Sequence, residues 1–395
     1  MSVSISHVSF EHHRNALGIA ETCPCISWRF QGQADDWEQS AYDIQVIREI
    51  DTDSQTHSSN TSQSRFVTWP GDPLQSAEAA RVRVRAHGLT GQPSTDWSDW
   101  ASVETGLIQP KDWQDALPIT SCQKVDKTKP KRPLYFRKVF YVGTESTKIQ
   151  KARLYITALG LFEAEINGQR VGDHVLAPGF QSFKHRHAYE TYDVTDMVQK
   201  GRNAVGIIVG EGWYAGRLFG LDDTREFRNL YGDKIGALCL LEVTLSDNTK
   251  VHIPTNKTWS SNFGPVSDSQ IYDGETYDSR QELAINGWST ASFHDDDWLG
   301  VDELPPLTSD LVPSDGPPVR KLAEIKPKEI FQTRSDKIVV DFGQSFAGWV
   351  KIAVSGPSGT NITLRYAEVI ENGEIGTRPL RTADATDHFI LNGSG

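Results

Sequence analysis

Apolar residues in this chain recur at every second position in short runs. In Ala41–Ile47, Tyr42, Ile44 and Val46 share one face. In Arg81–Ala86, Val82, Val84 and Ala86 lie on one face and Arg81, Arg83 and Arg85 on the other. A period of two is that of a half-buried strand, whose side chains alternate between core and solvent. Ala152–Thr157, Leu238–Thr244, Lys337–Asp341, Trp349–Val354, Thr360–Tyr366 and Asp387–Leu391 also read as strands, some alternating less strictly. Helical periodicity is confined to a turn or two, at Asp193–Gln199 and Trp288–Trp298. Short strands separated by regular turn signals predict an all-β protein built from β-sandwiches or jelly rolls.

Composition divides the pattern into blocks. Residues 109–133 hold four Pro and five Lys and read as a linker, and the Pro-rich residues 304–318 read as a second. Three tandem blocks remain: 1–108, 134–303 and 319–395. Ser54–Ser64 is a polar run that reads as a long hairpin loop inside the first. Trp28, the Arg81–Ala86 strand and the Trp97-Ser-Asp-Trp100 segment suit a fibronectin/Ig-like sandwich there. Its tryptophans would fill the core or stack on the arginine ladder. The third block is short for a sandwich, and Leu134–Val142 can also be assigned to it across the middle block. An incomplete sandwich leaves apolar faces and strand edges uncovered, so the isolated chain is expected to aggregate or self-associate.

Charge and composition exclude several function classes. The 395 residues carry 40 Lys and Arg against 52 Asp and Glu, a net charge of −12. Such an excess of acid argues against nucleic-acid partners and against docking on anionic membranes. With 16 Phe, 11 Tyr and 11 Trp the chain is not generally disordered. It has no apolar run of membrane-spanning length, and residues 1–18 lack the apolar core of a signal peptide. The expected location is therefore the cytoplasm, with Cys23, Cys25, Cys122 and Cys239 as ordinary thiols. The sequons at Asn60, Asn256, Asn361 and Asn392 then read as chance.

Candidate chemistry is sparse. No phosphate loop, nucleophile elbow or zinc-protease string occurs. His185 and His187 alternate with Lys184 and Arg186, and read as one face of a solvated strand rather than as a metal pair. Asp222-Asp223 and Asp295-Asp296-Asp297 read as solvated loops or caps. Asp273 and Glu275 lie two apart on a strand-like segment, about 6.5–7 Å between Cα atoms, so a glycosidase-type carboxylate pair is geometrically open. The plainer reading is a turn with capping carboxylates, or one that holds Arg280. Asn167-Gly168 between alternating runs is a strong two-residue hairpin signal, since both residues accept positive φ.

Five motifs in order carry a resemblance. They are Leu154–Phe180, Tyr189–Val198, Gly210-Glu-Gly-Trp213-Tyr214-Ala-Gly216-Arg217, Ile271–Arg280, and a segment from Val339 through Leu391. Together they resemble the bacterial-type α-L-rhamnosidases, over nearly the whole chain and most weakly in its first 110 residues. The resemblance implies an immunoglobulin- or fibronectin-like sandwich, a jelly roll akin to carbohydrate-binding modules, and a partial concanavalin-like sandwich. It also implies that catalysis belongs to an (α/α)6 barrel beyond the end of this sequence, so no catalytic carboxylate is carried over. Some members bind rhamnose in the jelly roll with the help of calcium. The matching residues are Trp213 or Tyr214 as stacking platform and Asn229, in Asn-x-Tyr-Gly, as oxygen donor to sugar and metal. After Pro178-Gly179 many members have Trp-Thr-Asp-Tyr, whereas Phe180-Gln181-Ser182-Phe183 here lacks the carboxylate. The expected function is that of a non-catalytic, architectural and glycan-docking N-terminal half, with rhamnose-containing glycans as partners. A stand-alone lectin-like module, a pure scaffold and a small enzyme using Asp273 and Glu275 are the alternatives.

Overall fold

The computed structural model describes residues 3–394 apart from 34–35, 52, 125, 127–128, 144–145 and 219–226. The chain forms two compact units. The first comprises Met1–Gln114, Ala188–Tyr192 and Asp310–Pro317, and the second comprises the rest.

The first unit is a small sandwich. Ser4–Phe10 pairs antiparallel with Ile26–Gln31 on one side. On the other, Leu17–Ile19, Ala101–Thr105, Ala79–Gly88, Gln39–Arg48 and Gln55–Ser59 form a five-stranded sheet in that order. The alternation read from the sequence sets the faces: Ile44, Val46, Val82 and Val84 point into a core that also takes Trp28. Arg81, Arg83 and Arg85 emerge on the outer face. The Arg83 guanidinium lies 4.9 Å from the Trp97 ring and 4.7 Å from the Trp100 ring, and Arg85 lies 4.8 Å from Trp97. The core therefore holds Trp28, while the cation–π ladder holds Trp97 and Trp100.

The second unit contains the jelly roll. One sheet runs Gln169–Arg170, Leu161–Ile166, Gly201–Gly210, Leu134–Val142, Ser260–Phe263 and Leu299–Glu303. The last strand continues onto Ile119–Ser121, Gly236–Leu245 and Ile149–Leu159, and Lys250–Pro254 also pairs with Gly236–Leu245. Asn167 and Gly168 take φ of 51° and 82° in the predicted hairpin. Gly236–Leu245 is buried on both faces almost throughout, which is why its sequence is an apolar run with little alternation.

Several expectations are corrected here. Residues 109–133 carry a strand, Ile119–Ser121, that pairs with Ala237 and with Val301–Glu303, so this stretch is part of the sandwich as well as a connection. Leu134–Val142 lies between Gly201–Gly210 and Ser260–Phe263 in the jelly roll, not in the third block. Trp288–Trp298 is not helical. Its carbonyls serve a buried cation instead: Arg137 donates to the Trp288 carbonyl at 2.8 Å and the Thr290 carbonyl at 3.0 Å, and pairs with Asp295 at 2.6 Å. Trp288 stands edge-on to Tyr135 and stacks on Trp298. Asp193–Gln199 reduces to a 3₁₀ turn at Thr195–Met197.

Residues 319–395 add little core of their own. Glu329–Gln332 and Ile338–Asp341 pair only with each other, as do Val369–Glu371 and Glu374–Gly376. The larger sheet borrows strands from the middle block: Val266–Gln270 pairs with Gly274–Asp278, which runs parallel to Thr386–Ile390, itself antiparallel to Asn361–Arg365. Trp349–Val354, expected as a strand, has no ladder partner among the described residues. Trp349 is 59% exposed, Ile352 45% and Val354 41%. Half of the large apolar side chains exposed among the described residues belong to this last fifth of the chain.

Candidate functional site

The candidate residues converge at one end of the jelly roll. Gly201–Gly210 runs into a single α-helical turn, Gly212–Ala215, that presents Trp213 and Tyr214 side by side. Gly212 takes φ of 51°, and a Cβ there would stand 2.5 Å from Leu161, so glycine is required just before Trp213. The half-exposed Trp213 ring lies 5.9 Å from Phe180, which is 50% exposed, and Phe180 lies 6.4 Å from Tyr231. Tyr214 packs edge-on to the buried Phe183 at 5.4 Å and lies 5.8 Å from His187. A Cβ on Gly232 would stand 2.3 Å from the Tyr214 hydroxyl oxygen, so this glycine lets the backbone close over the ring. The result is an apolar, partly open aromatic surface.

His187 lies beneath it and corrects the sequence expectation. Its side chain is buried, not on a solvated face, and its Nδ1 lies 2.6 Å from Ser309 Oγ. Its Nε2 is buried without a hydrogen-bond partner. Burial pushes the imidazole down to about 4, so it is neutral at physiological pH. His185 is exposed in the preceding turn.

Behind the aromatic surface runs a buried charge network. Asn229 takes φ of 59° and donates its N–H to the Ala215 carbonyl at 3.1 Å, which fixes its side chain against the helical turn. Its Oδ1 accepts from the Lys131 ammonium at 2.5 Å. The Lys131 backbone N–H donates to Glu211 Oε1 at 2.5 Å, and its ammonium stands 3.7 Å from the same carboxylate. Arg228 Nη1 reaches Glu211 Oε2 at 3.3 Å, and its Nη2 donates to Gln270 at 3.0 Å. Burial raises the Glu211 carboxyl, against the pull of Lys131 and Arg228, and burial lowers the Lys131 ammonium.

A clamp ties this site to the last segment. Arg217 Nε donates to Asp273 Oδ2 at 3.1 Å, and its Nη2 pairs with Asp273 Oδ1. The same guanidinium donates to the Thr382 hydroxyl at 3.1 Å and to its carbonyl at 2.9 Å.

Comparison with known proteins identifies the frame that carries these groups. Residues 5–109 match the family described as the Rha78A-like N-terminal immunoglobulin domain, and 147–323 the α-L-rhamnosidase N-terminal domain. Residues 331–395 match the bacterial α-L-rhamnosidase concanavalin-like domain. The chain carries the N-terminal β-domains of the α-L-rhamnosidase family. It is 34% identical over 402 residues to an α-L-rhamnosidase of Formosa agariphila, a match covering 98% of the chain and 42% of that relative. It is 52% identical to the crystal structure of native α-L-rhamnosidase from Aspergillus terreus, with a TM-score of 0.94, over 100% of the chain and 45% of that structure. An α-L-rhamnosidase of Streptomyces avermitilis, solved in complex with L-rhamnose, shares the fold at 23% identity and a TM-score of 0.87, over 100% of the chain and 54% of that structure. The chain thus spans less than half the length of the curated relatives it matches.

Within this rhamnosidase frame the calcium expectation meets a poor donor set. Calcium takes six to eight oxygens, mostly carboxylate and carbonyl. Here Asn229 Oδ1 faces an ammonium, and among the described residues no group of three or more His, Cys, Asp or Glu is placed to hold a metal ion. The described residues do not fit a calcium ion. Asp222 and Asp223 lie outside the described residues.

Of the two carboxylates open to a catalytic reading, Asp273 is engaged structurally. Asp273 holds Arg217 and also accepts from the Asp384 backbone N–H at 3.3 Å. Arg280 is held by Asp278, at 2.8 Å, and not by Asp273. Among the described residues no cation pairs with Glu275. The protein packed around it, with the Asp387 and Glu163 carboxylates, pushes it up to about 6. Asp387 is itself bound by the Glu275 backbone N–H at 2.8 Å and the Tyr366 hydroxyl at 2.6 Å.

Trp213 and Tyr214 lie on the helical turn to which the Asn229 backbone is bonded. Sequence reasoning missed Lys131, Glu211 and Arg228. The sequence carried no signal for Lys131, since the backbone restriction before Pro133 falls on Arg132.

Proposed function

We propose that this chain is the architectural and glycan-docking region of an α-L-rhamnosidase. The activity of the whole protein would be the hydrolysis of terminal α-L-rhamnosyl residues from plant glycosides or polysaccharides. The observation that carries the docking role is the half-open aromatic surface of Phe180, Trp213 and Tyr231, set on a rigid turn. A 6-deoxy sugar offers an apolar methyl and C–H face to such rings, and polar groups at the rim would take its hydroxyls.

Titration with L-rhamnose should quench tryptophan fluorescence saturably, with Kd about 0.1–1 mM, a range usual for a shallow site of few contacts. Trp213→Ala should weaken binding about tenfold or more, through loss of about 1.5 kcal/mol of stacked apolar surface, while melting like the parent chain. A response to rhamnose that is equal in Trp213→Ala would defeat the assignment.

We propose in addition that the open faces of 319–395 make the isolated chain self-associate. Light scattering should give a mass above the 44.0 kDa monomer that rises with concentration. A stable monomer at all concentrations would contradict this.

A further inference from the structure

We propose that the Lys131 ammonium is the resident cation of the buried cluster behind Trp213 and Tyr214, and that this cluster works without a divalent metal. The inference rests on the docking reading for its sugar, but not for its cation.

Four observations carry it. The ammonium is bound at 2.5 Å to Asn229 Oδ1, the oxygen that would otherwise face a metal. The Lys131 and Glu211 side chains are only 3% and 1% exposed, so the ammonium is built into the interior and is not a surface group passing by. The cations there already have their anions: Lys131 and Arg228 stand against Glu211 and Asp233, with Asp268 beyond Glu211. A divalent ion would add positive charge beside these two cations in the interior, where like charges a few ångströms apart repel strongly. Finally, Asn229 is oriented by its own backbone turn and its bond to Ala215, and needs no metal to direct it. Lysine thus does by covalent attachment what an ion does by binding: it places positive charge on the amide oxygen and joins the 211–216 turn to the 227–233 segment.

The test uses the full chain. Melting, terbium luminescence sensitised by the nearby tryptophan, and rhamnose titration are each measured with calcium and after exhaustive chelation. The expected result is no terbium signal, the same melting temperature in both conditions, and rhamnose affinities within twofold. Lys131→Met, which keeps the stem and removes the charge, should lower the melting temperature by about 5 °C or more. Calcium-dependent melting or a saturable terbium signal in the parent chain would overturn the proposal. So would a Lys131→Met variant that melts and binds rhamnose as the parent does. If rhamnose binds under no condition, the docking reading fails, while the melting and terbium results still decide the cation.

Discussion

Between pH 7 and 4.5 the second unit should lose about 2–3 kcal/mol of stability through a single imidazole. His187 is 2% exposed, bonded through Nδ1 to Ser309 and packed against Phe183 and Tyr214. In the unfolded chain it titrates near 6.5, and in the fold burial pushes it down to about 4. Below 6.5 the unfolded state therefore binds the proton first. The stability is fully present above 6.5 and is lost as pH falls toward 4, at about 1.4 kcal/mol per pH unit. Glu275 works in the opposite direction. Its folded value, pushed up to about 6, lies above the unfolded one, so its contribution is present below about 4.5 and fades as pH rises through 6. It is a solvent-accessible side chain, and its effect is the smaller of the two. Urea unfolding at the two pH values measures the sum. His187→Phe keeps the ring and removes the titration, so the gap between the two pH values should nearly close. A variant with the same acid sensitivity as the parent would place the effect elsewhere.

The second large effect is expected at Glu211. Its carboxylate is 1% exposed and is the counter-charge of both Lys131 and Arg228. Glu211→Ala takes from two buried cations the anion that touches both, leaving Asp233 near Lys131, and leaves the Lys131 backbone N–H without its acceptor. Removing one partner from a buried ion network costs about 3–5 kcal/mol. Glu211→Gln retains the backbone bond and should cost visibly less than Ala. Thermal and urea unfolding of the two variants check the order. A Glu211→Ala chain within about 1 kcal/mol of the parent would mean that the network adds nothing net, as some buried pairs do not. The same variant should also lose rhamnose quenching, because the turn that carries Trp213 begins at Glu211.

How far these features could be read in advance depended on how local their causes are. The Arg81–Ala86 strand and its ladder on Trp97 and Trp100 are set by alternation within a few residues, and both were legible. So was the Asn167-Gly168 hairpin, where two residues with positive φ select the turn. The expected strand at Trp349–Val354 has the right alternation, but a strand exists only with a partner edge, and none is supplied among the described residues. Trp288–Trp298 has apolar spacing that suits a helix, yet its carbonyls turn toward Arg137, a residue some 150 positions away. The site divides in the same way. Trp213 and Tyr214 are adjacent in sequence and hence in space. Asn229 joins them through a local turn. Lys131 reaches Asn229 across 98 positions of chain, which no local pattern encodes.

The Arg217 clamp has a mechanical consequence. Arg217 follows the Trp213–Tyr214 turn by three residues and grips Asp273 through Nε and Nη2 and Thr382 through Nη1 and Nη2, so that one rigid guanidinium holds both. Tension applied along the last segment would reach the aromatic turn by two routes, the Arg217 clamp and the ladder between Gly274–Asp278 and Thr386–Ile390. The clamp is the shorter one, because Arg217 belongs to the stretch that leaves the turn.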